Sequence, residues 1–124
     1  MSAPIGPYTP IVRAGPWLIC SGQLGLDPGA ATPTLVEGDA AAQLSQALAN
    51  ARRLLEGEGA TVGDVVKTTV FVTDMGEYAA VNAAYSAFFE SFGDHRPARS
   101  AVAVAGLPMG ALAEVEVWAY TGGG

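Results

Sequence analysis

Apolar residues recur at helical spacing in two stretches of the chain. In the first stretch, Asp39 can cap the start of a helix, while Gly57 and Gly59 mark its end. Its apolar stripe consists of Leu44, Ala47, Leu48, Ala51, Leu54 and Leu55. In the second stretch, Asp74 and Glu77 have capping-box spacing. The stripe that follows them consists of Tyr78, Val81, Tyr85, Phe88 and Phe89. The pattern therefore predicts two helices.

Runs rich in β-branched and other apolar residues predict the strands. The Gly15-Pro16 turn signal separates the first two runs, so they should form a hairpin. Neither face of the third run is strongly polar, which predicts cover on both faces. The predicted strands are Ile11–Ala14, Trp17–Ser21, Val65–Thr73, the run after Pro97 that carries Arg99, and Leu112–Tyr120. Together with the helices they give the order ββαβαββ, which predicts an α+β fold with one sheet and two helices on one face.

The last predicted strand has two very different faces. One face is small and apolar and suits packing beneath helices; it consists of Ala113, Val115, Val117 and Ala119. The other face is too apolar for water and too charged for a core; it consists of Leu112, Glu114, Glu116, Trp118 and Tyr120. Such a mixture is typical of an oligomer interface that contains a site, so we expect a homo-oligomer.

Length and composition indicate one domain spanning residues 1–124. The net charge of −6 argues against nucleic acid as a partner, because phosphates require a basic surface. The longest nearly uncharged run, Ser100 to Ala113, is too short and too interrupted for a membrane span. No secretory signal is visible, and Cys20 as the single cysteine allows neither an internal disulfide nor a metal cluster. A cytoplasmic protein is the expectation.

Arg99 is an unusual residue for its surroundings, because it opens an apolar strand in a chain with only six Lys and Arg residues. A guanidinium in such a segment must be paired, since burial of an unpaired charge is costly. One possibility is a structural ion pair with Glu114 or Glu116. The other is a ligand carboxylate held through two parallel hydrogen bonds. Residue patterning alone leaves both possibilities open.

Six short motifs, in order along nearly the whole chain, resemble those of the RidA/YjgF reactive-intermediate deaminases. The motifs are Ile5-Gly6-Pro7-Tyr8, Ser21-Gly22-Gln23, the run from Asp64 to Phe71, Val81-Asn82, Pro97-Ala98-Arg99-Ser100 and Glu114-Val115-Glu116. The resemblance implies a chorismate-mutase-like fold with one mixed sheet, assembled as a homotrimer with active sites between subunits. It also implies hydrolysis of small 2-imino acids or their enamines, such as 2-iminopropanoate and 2-iminobutanoate, to 2-oxo acids and ammonia, without a cofactor or a metal.

The resemblance also implies roles for individual residues. Arg99 would hold the substrate carboxylate, and Glu114 would position and activate the attacking water, with Glu116 as the alternative. These types suit the chemistry, because an imine carbon is already electrophilic and the enzyme has mainly to fix the substrate and aim a water. The further residues expected to contact substrate are Tyr8, Ser21, Asn82, Ser100 and the backbone of Ala101.

Three positions depart from the pattern of the family: Ala101 stands where Cys is frequent, Gly106 where Arg is frequent, and Met109 where Lys is frequent. The loss of two positive charges could weaken attraction of anionic substrates. These departures favour an alternative function, a non-catalytic trimer that binds small carboxylates or a protein partner. Chorismate mutase activity is a third and weaker alternative, because chorismate carries two carboxylates and this chain is poor in basic residues.

Overall fold

The computed structural model describes residues 6–122. The terminal residues 1–5 and 123–124, which include Ile5 of the first motif and both ends of the expected domain, lie outside the described range. The strands are β1 (Ile11–Ala14), β2 (Trp17–Leu24), β3 (Val65–Val72), β4 (Ala98–Ala103) and β5 (Ala113–Tyr120), and the helices are α1 (Ala40–Gly57) and α2 (Tyr78–Glu90). The predicted order ββαβαββ is confirmed.

All five strands form one mixed sheet in the order β1-β2-β5-β3-β4. Strand β3 pairs with β4 in parallel, and every other neighbouring pair is antiparallel. The chain passes through α2 between the two parallel strands, because a parallel pair needs a crossover connection. In this strand order β4 is an edge strand, and the carboxyl-terminal strand β5 lies in the centre of the sheet.

The core lies between the helices and one face of the sheet. Leu44, Leu48 and Leu55 of α1 pack there against Val115 and Val117 of β5, and all five side chains are buried. Helix α1 starts as predicted, since the Asp39 side chain accepts a hydrogen bond from the backbone of Ala42 at 3.0 Å. Cys20 is buried among these residues, which raises the pKa of its thiol to about 12. Among residues 6–122, neither helix combines the length and the hydrophobicity needed to cross a membrane.

The start of α2 differs from the prediction. Asp74 caps a short 3-10 turn, Met75–Glu77, by accepting a hydrogen bond from the backbone of Gly76, and the helix proper begins only at Tyr78. Glu77 makes no side-chain cap, so the expected capping box is wrong. Tyr78 is 37% exposed and does not belong to the buried stripe. The first residue of α2, Tyr78, therefore lies outside the core.

The second face of the sheet carries no helix, and its residues are partly or largely exposed in the single chain. Cover on both faces of β3 was predicted, but Lys67, Thr69 and Phe71 on this face are only half-buried. At the other end of the same face, Trp17 packs edge-on against the rings of Trp118 and Tyr120, with centroid distances of 6.1 and 5.1 Å. We call this surface the open face. It includes the mixed apolar and charged face that the residue pattern of the last strand predicted.

Candidate functional site

Arg99 lies beside the buried Thr68 of β3, so its side chain leaves the sheet on the same side as the helices. It meets α2 there. Its Nη1 donates a hydrogen bond to Oδ1 of Asn82 at 2.7 Å, and its Nη2 donates one to the hydroxyl of Tyr78 at 3.0 Å. Both partners are neutral oxygens at the first two turns of the helix. The structure therefore brings together two of the predicted site residues, Arg99 and Asn82.

An aromatic ring supports the guanidinium from below. The Arg99 guanidinium carbon lies 4.8 Å from the ring centroid of Tyr85, a distance at which a cation is attracted to the ring. The Tyr85 hydroxyl hydrogen-bonds to Oγ1 of Thr68 at 2.7 Å, and both residues are buried. Burial raises the pKa of Tyr85, while the Thr68 hydrogen bond and the charge of Arg99 act in the opposite direction. We call Tyr78, Asn82, Tyr85 and Arg99 the guanidinium cradle.

No acidic side chain pairs with Arg99 among the described residues. The ion pairs found in that part of the chain are Arg13–Glu58, Arg52–Glu56 and Arg96–Glu90. Within one chain, therefore, Arg99 forms no ion pair with Glu114 or Glu116. Two guanidinium donors are used by Asn82 and Tyr78, and the others have no hydrogen-bond partner within residues 6–122. A partly buried cation with free donors is suited to an anion.

Glu114 lies elsewhere, in a cleft of about 450 Å³ formed by the amino-terminal segment, β2, β5 and the turn before β5. We call it the acidic cleft, and its lining residues are Gly6, Pro7, Tyr8, Ser21, Gly22, Leu24, Pro108 and Glu114. Ser21 holds the amino-terminal segment in place, because its hydroxyl donates to the carbonyl of Thr9 at 2.6 Å. Three predicted site residues, Tyr8, Ser21 and Glu114, therefore share one cavity.

The Glu114 carboxyl group is half-buried, and burial raises its pKa above the ordinary value of 4.5; the nearby Glu116 carboxylate raises it further. Glu116 projects from the same face of β5 but is not among the residues that line the acidic cleft. Of the two glutamates, only Glu114 therefore lines the acidic cleft. A carboxyl group whose pKa moves towards neutrality can accept and return a proton more readily.

Gly22 is a site residue that the sequence did not single out by itself. A Cβ at this position would lie 2.6 Å from Oε2 of Glu114 and 2.8 Å from its Cδ, closer than real contacts allow. The missing side chain therefore leaves the space that the Glu114 carboxyl group occupies. The signal was present in the Ser21-Gly22-Gln23 motif, but only the cross-strand packing gives it a physical reason.

The two halves of the predicted site do not meet within one chain. Arg99 is aligned with Thr68, whereas Glu114 is aligned with Phe71, three residues further along β3. Side chains of a strand alternate between its faces, so Arg99 projects on the helix side and Glu114 on the open face. Ser100 also projects on the open face, where its hydroxyl accepts a hydrogen bond from Nζ of Lys67 at 2.9 Å. Ala101 returns to the helix side and packs against the core.

Tyr78 and Tyr85 were expected only as core residues, yet both contact Arg99. The available signal was their spacing, since Tyr78, Asn82 and Tyr85 lie at i, i+4 and i+7 and share one face of α2. Within residues 6–122, no group of three or more His, Cys, Asp or Glu side chains is arranged to hold an ion.

The chain is similar in sequence to proteins of a known family. The family described as Endoribonuclease L-PSP matches residues 1–121. The chain is 46% identical to the 2-iminobutanoate/2-iminopropanoate deaminase of Salmonella typhimurium over 114 residues, which cover 92% of this chain and 87% of that protein. It is 42% identical to a RutC family protein of Pyrococcus horikoshii over 117 residues, 94% of this chain and 89% of that protein.

Solved structures agree with the observed fold. The crystal structure of the YjgF gene product of Escherichia coli superposes with a TM-score of 0.89 at 44% identity, covering 96% of this chain and 91% of that one. The structure of Escherichia coli TdcF with bound serine also gives a TM-score of 0.89, at 34% identity and with coverages of 96% and 91%. The resemblance drawn from the six motifs is confirmed.

Proposed function

This chain belongs to the YjgF/RidA family, and from that membership and its two groups of polar residues we propose that it is a hydrolytic imine deaminase. It converts small 2-imino acids or their enamines, such as 2-iminopropanoate and 2-iminobutanoate, to 2-oxo acids and ammonia. It does so in the cytoplasm, as one domain, and without a cofactor. The relatives from Salmonella typhimurium and Escherichia coli that carry this activity in their names are both 46% identical to the chain.

The observation that carries the proposal is the state of Arg99. Its guanidinium is held by two neutral oxygens and two aromatic rings and has no acidic partner among the described residues. A carboxylate is the group that completes such a site, because it accepts two parallel hydrogen bonds from a guanidinium. The bound serine of TdcF, a small molecule with a carboxylate, supports a ligand of this class.

Glu114 supplies the other half of the chemistry. Its carboxylate accepts a proton from a water molecule while the water oxygen bonds to the electrophilic imine carbon. That proton passes to the imine nitrogen, which gives the neutral carbinolamine. Glu114 then takes the hydroxyl proton and returns it to the amino group, which leaves as ammonia as the carbon–nitrogen bond breaks and the carbon–oxygen double bond forms. The pKa of Glu114, raised by burial and by Glu116, makes it better suited to this exchange than an exposed glutamate.

We further propose that the active site forms between two copies of the chain in a homotrimer. Arg99 belongs to an edge strand and Glu114 to the opposite side of the sheet, so one chain cannot place both against one small substrate. The open face has the features of an interface, since the exposed rings of Trp17, Trp118 and Tyr120 lie next to polar groups. A second copy docked there brings its Arg99 towards the acidic cleft of the first.

Two alternatives are less well supported. The family description names an endoribonuclease, but a net charge of −6 does not suit a polyanion. A non-catalytic carboxylate-binding module is favoured by Ala101, Gly106 and Met109, the departures from the family pattern. It also accounts for Arg99, but it gives no role to the Glu114 carboxyl group in the acidic cleft.

The test generates 2-iminopropanoate in the assay and follows its loss. We expect the wild type to accelerate hydrolysis and Arg99→Ala to lose almost all of the acceleration. Arg96→Ala is the matched control, because Arg96 is exposed and its polar partners in the described part of the chain, the carbonyls of Gly93 and His95 and the carboxylate of Glu90, lie outside the guanidinium cradle. If the wild type leaves several imino acids at the rate of buffer alone, it is not a deaminase. Tight binding of a 2-oxo acid in the same preparation would then favour the binding module.

A further inference from the structure

The first turn of α2 places one hydroxyl group against the guanidinium of Arg99. The 3-10 turn Met75–Glu77 ends where the helix begins, so Tyr78 projects from the first position of α2. Its side chain is 37% exposed, and its hydroxyl lies 3.0 Å from Nη2 of Arg99. Packing does not explain the hydroxyl, because the hydroxyl of a ring at the surface adds little buried area. The oxygen is instead placed where the cradle opens to solvent.

The direction of the hydrogen bonds determines which groups remain available to a ligand. Tyr78 and Asn82 each use an oxygen to accept from Arg99. A tyrosine hydroxyl that accepts still has its own proton to donate, and an asparagine whose Oδ1 accepts still has its amide N–H groups. The unused N–H groups of Arg99 are donors as well. The cradle therefore presents several free donors and a positive charge to a ligand, which suits an anion and disfavours a cation.

We propose that Tyr78 is a further carboxylate-binding residue, whose hydroxyl accepts a hydrogen bond from Arg99 and donates its own proton to the same carboxylate. The inference rests on the proposed function, in which Arg99 takes the substrate carboxylate. It extends that function by naming a second, neutral donor for the carboxylate. The Tyr78 hydroxyl thereby has two roles: it fixes the orientation of the guanidinium, and it contributes to the affinity for the anion.

Tyr85 has a different role in the same cradle. Its hydroxyl is used by the buried Thr68, and its ring lies 4.8 Å below the guanidinium carbon of Arg99. It supports the guanidinium from the core side and has no free polar group near the opening. Of the two tyrosines, only Tyr78 is exposed enough to contact a ligand directly.

The experiment measures binding, so that it does not depend on turnover. The dissociation constant of 2-oxobutanoate is measured by calorimetry for the wild type, Tyr78→Phe and Ser91→Ala. Tyr78→Phe removes only the hydroxyl. Ser91→Ala also removes one hydroxyl, from an exposed residue just after the other end of α2, where the hydroxyl donates to the carbonyl of Phe88 at 2.6 Å. Circular dichroism of each variant checks that the fold is unchanged.

We expect Tyr78→Phe to weaken 2-oxobutanoate binding about fivefold, the effect of losing about one hydrogen bond. Ser91→Ala should bind like the wild type. The methyl ester of 2-oxobutanoate, which lacks the charge, should bind weakly to all three proteins and show no dependence on Tyr78. In an Arg99→Gln background, the additional effect of Tyr78→Phe should shrink, because the two residues hold one group.

Equal binding of 2-oxobutanoate by the wild type and Tyr78→Phe would overturn the role of Tyr78, as would a wild type that binds no carboxylate. Failure of the proposed function has a different signature. In that case the wild type binds 2-oxobutanoate and the Tyr78→Phe variant binds it more weakly. The wild type, however, does not raise the rate of imine hydrolysis above that of buffer.

Discussion

Arg99 and Glu114 project from opposite faces of the same sheet. Arg99 is aligned with Thr68 beneath the helices, and Glu114 is aligned with Phe71 on the open face, so the sheet itself separates the two side chains. In a single chain, the guanidinium cradle and the acidic cleft are therefore two incomplete sites. This relationship is the main reason to propose a site that is shared between subunits.

A shared site predicts complementation between two inactive proteins. Arg99→Ala and Glu114→Gln should each be nearly inactive, but subunits mixed by unfolding and refolding should regain activity. If each site takes Arg99 from one subunit and Glu114 from its neighbour, random mixing in equal amounts restores about a quarter of the sites. The measurement is imine hydrolysis before and after mixing. Mixtures that stay inactive, although native mass spectrometry shows mixed oligomers, would contradict the shared site.

The raised pKa of Glu114 predicts a pH dependence of the reaction. Burial, and then Glu116, disfavour the carboxylate form, whereas the proposed base must be ionised. The value of kcat/KM should therefore rise with pH through a pKa above 4.5 and level off at higher pH. Glu116→Gln removes the like charge and leaves the burial, so the rise should move to lower pH. Glu90→Gln, at the end of α2, serves as the control and should keep the wild-type profile. An identical midpoint in Glu116→Gln would show that Glu114 is not the titrating base.

Gly22→Ala should damage the reaction more than the fold. The added Cβ would meet Oε2 and Cδ of Glu114, and a flexible side chain can move away with little strain. A displacement of the base by about 1 Å can cost on the order of 100-fold in rate. We expect a fall of this size in kcat and a nearly unchanged melting temperature. The matched substitution is Gly57→Ala, because a Cβ at Gly57 meets nothing within 4 Å. Full activity in Gly22→Ala would mean that the glycine has no role in placing Glu114.

Met109 is the one non-glycine residue with a positive φ, 61°, among the described residues. The left-handed conformation is costly for a side chain such as Met and is tolerated better by Asn. We therefore expect Met109→Asn to raise the free energy of unfolding by about 0.5–1 kcal/mol. Met75→Asn is the control, because Met75 is equally exposed, at 45%, and lies in a 3-10 turn without a positive φ. Urea denaturation measures both, and equal changes in the two variants would remove the conformational explanation.

The sequence by itself determined the main elements and several residues of the candidate site. Helical spacing on α1 and alternation on β5 are local properties, so the helix from Ala40 and the two faces of the last strand follow from the order of the residues. The six motifs also identified Arg99, Glu114, Tyr8, Ser21 and Asn82 before any packing was known. These features depend on chain neighbours or on residue identity, which a sequence states directly.

Only the tertiary structure decided which of those residues meet. The order of strands puts β5 between β2 and β3, and this non-local pairing places Glu114 against Gly22 and keeps it away from Arg99. The 3-10 turn before α2 moves Tyr78 out of the core and onto Arg99, although the helical pattern alone put it in the buried stripe. Contacts between residues far apart in the chain depend on sheet register and helix placement. Both are set by packing of the whole core, so the periodicity of a single segment could not determine them.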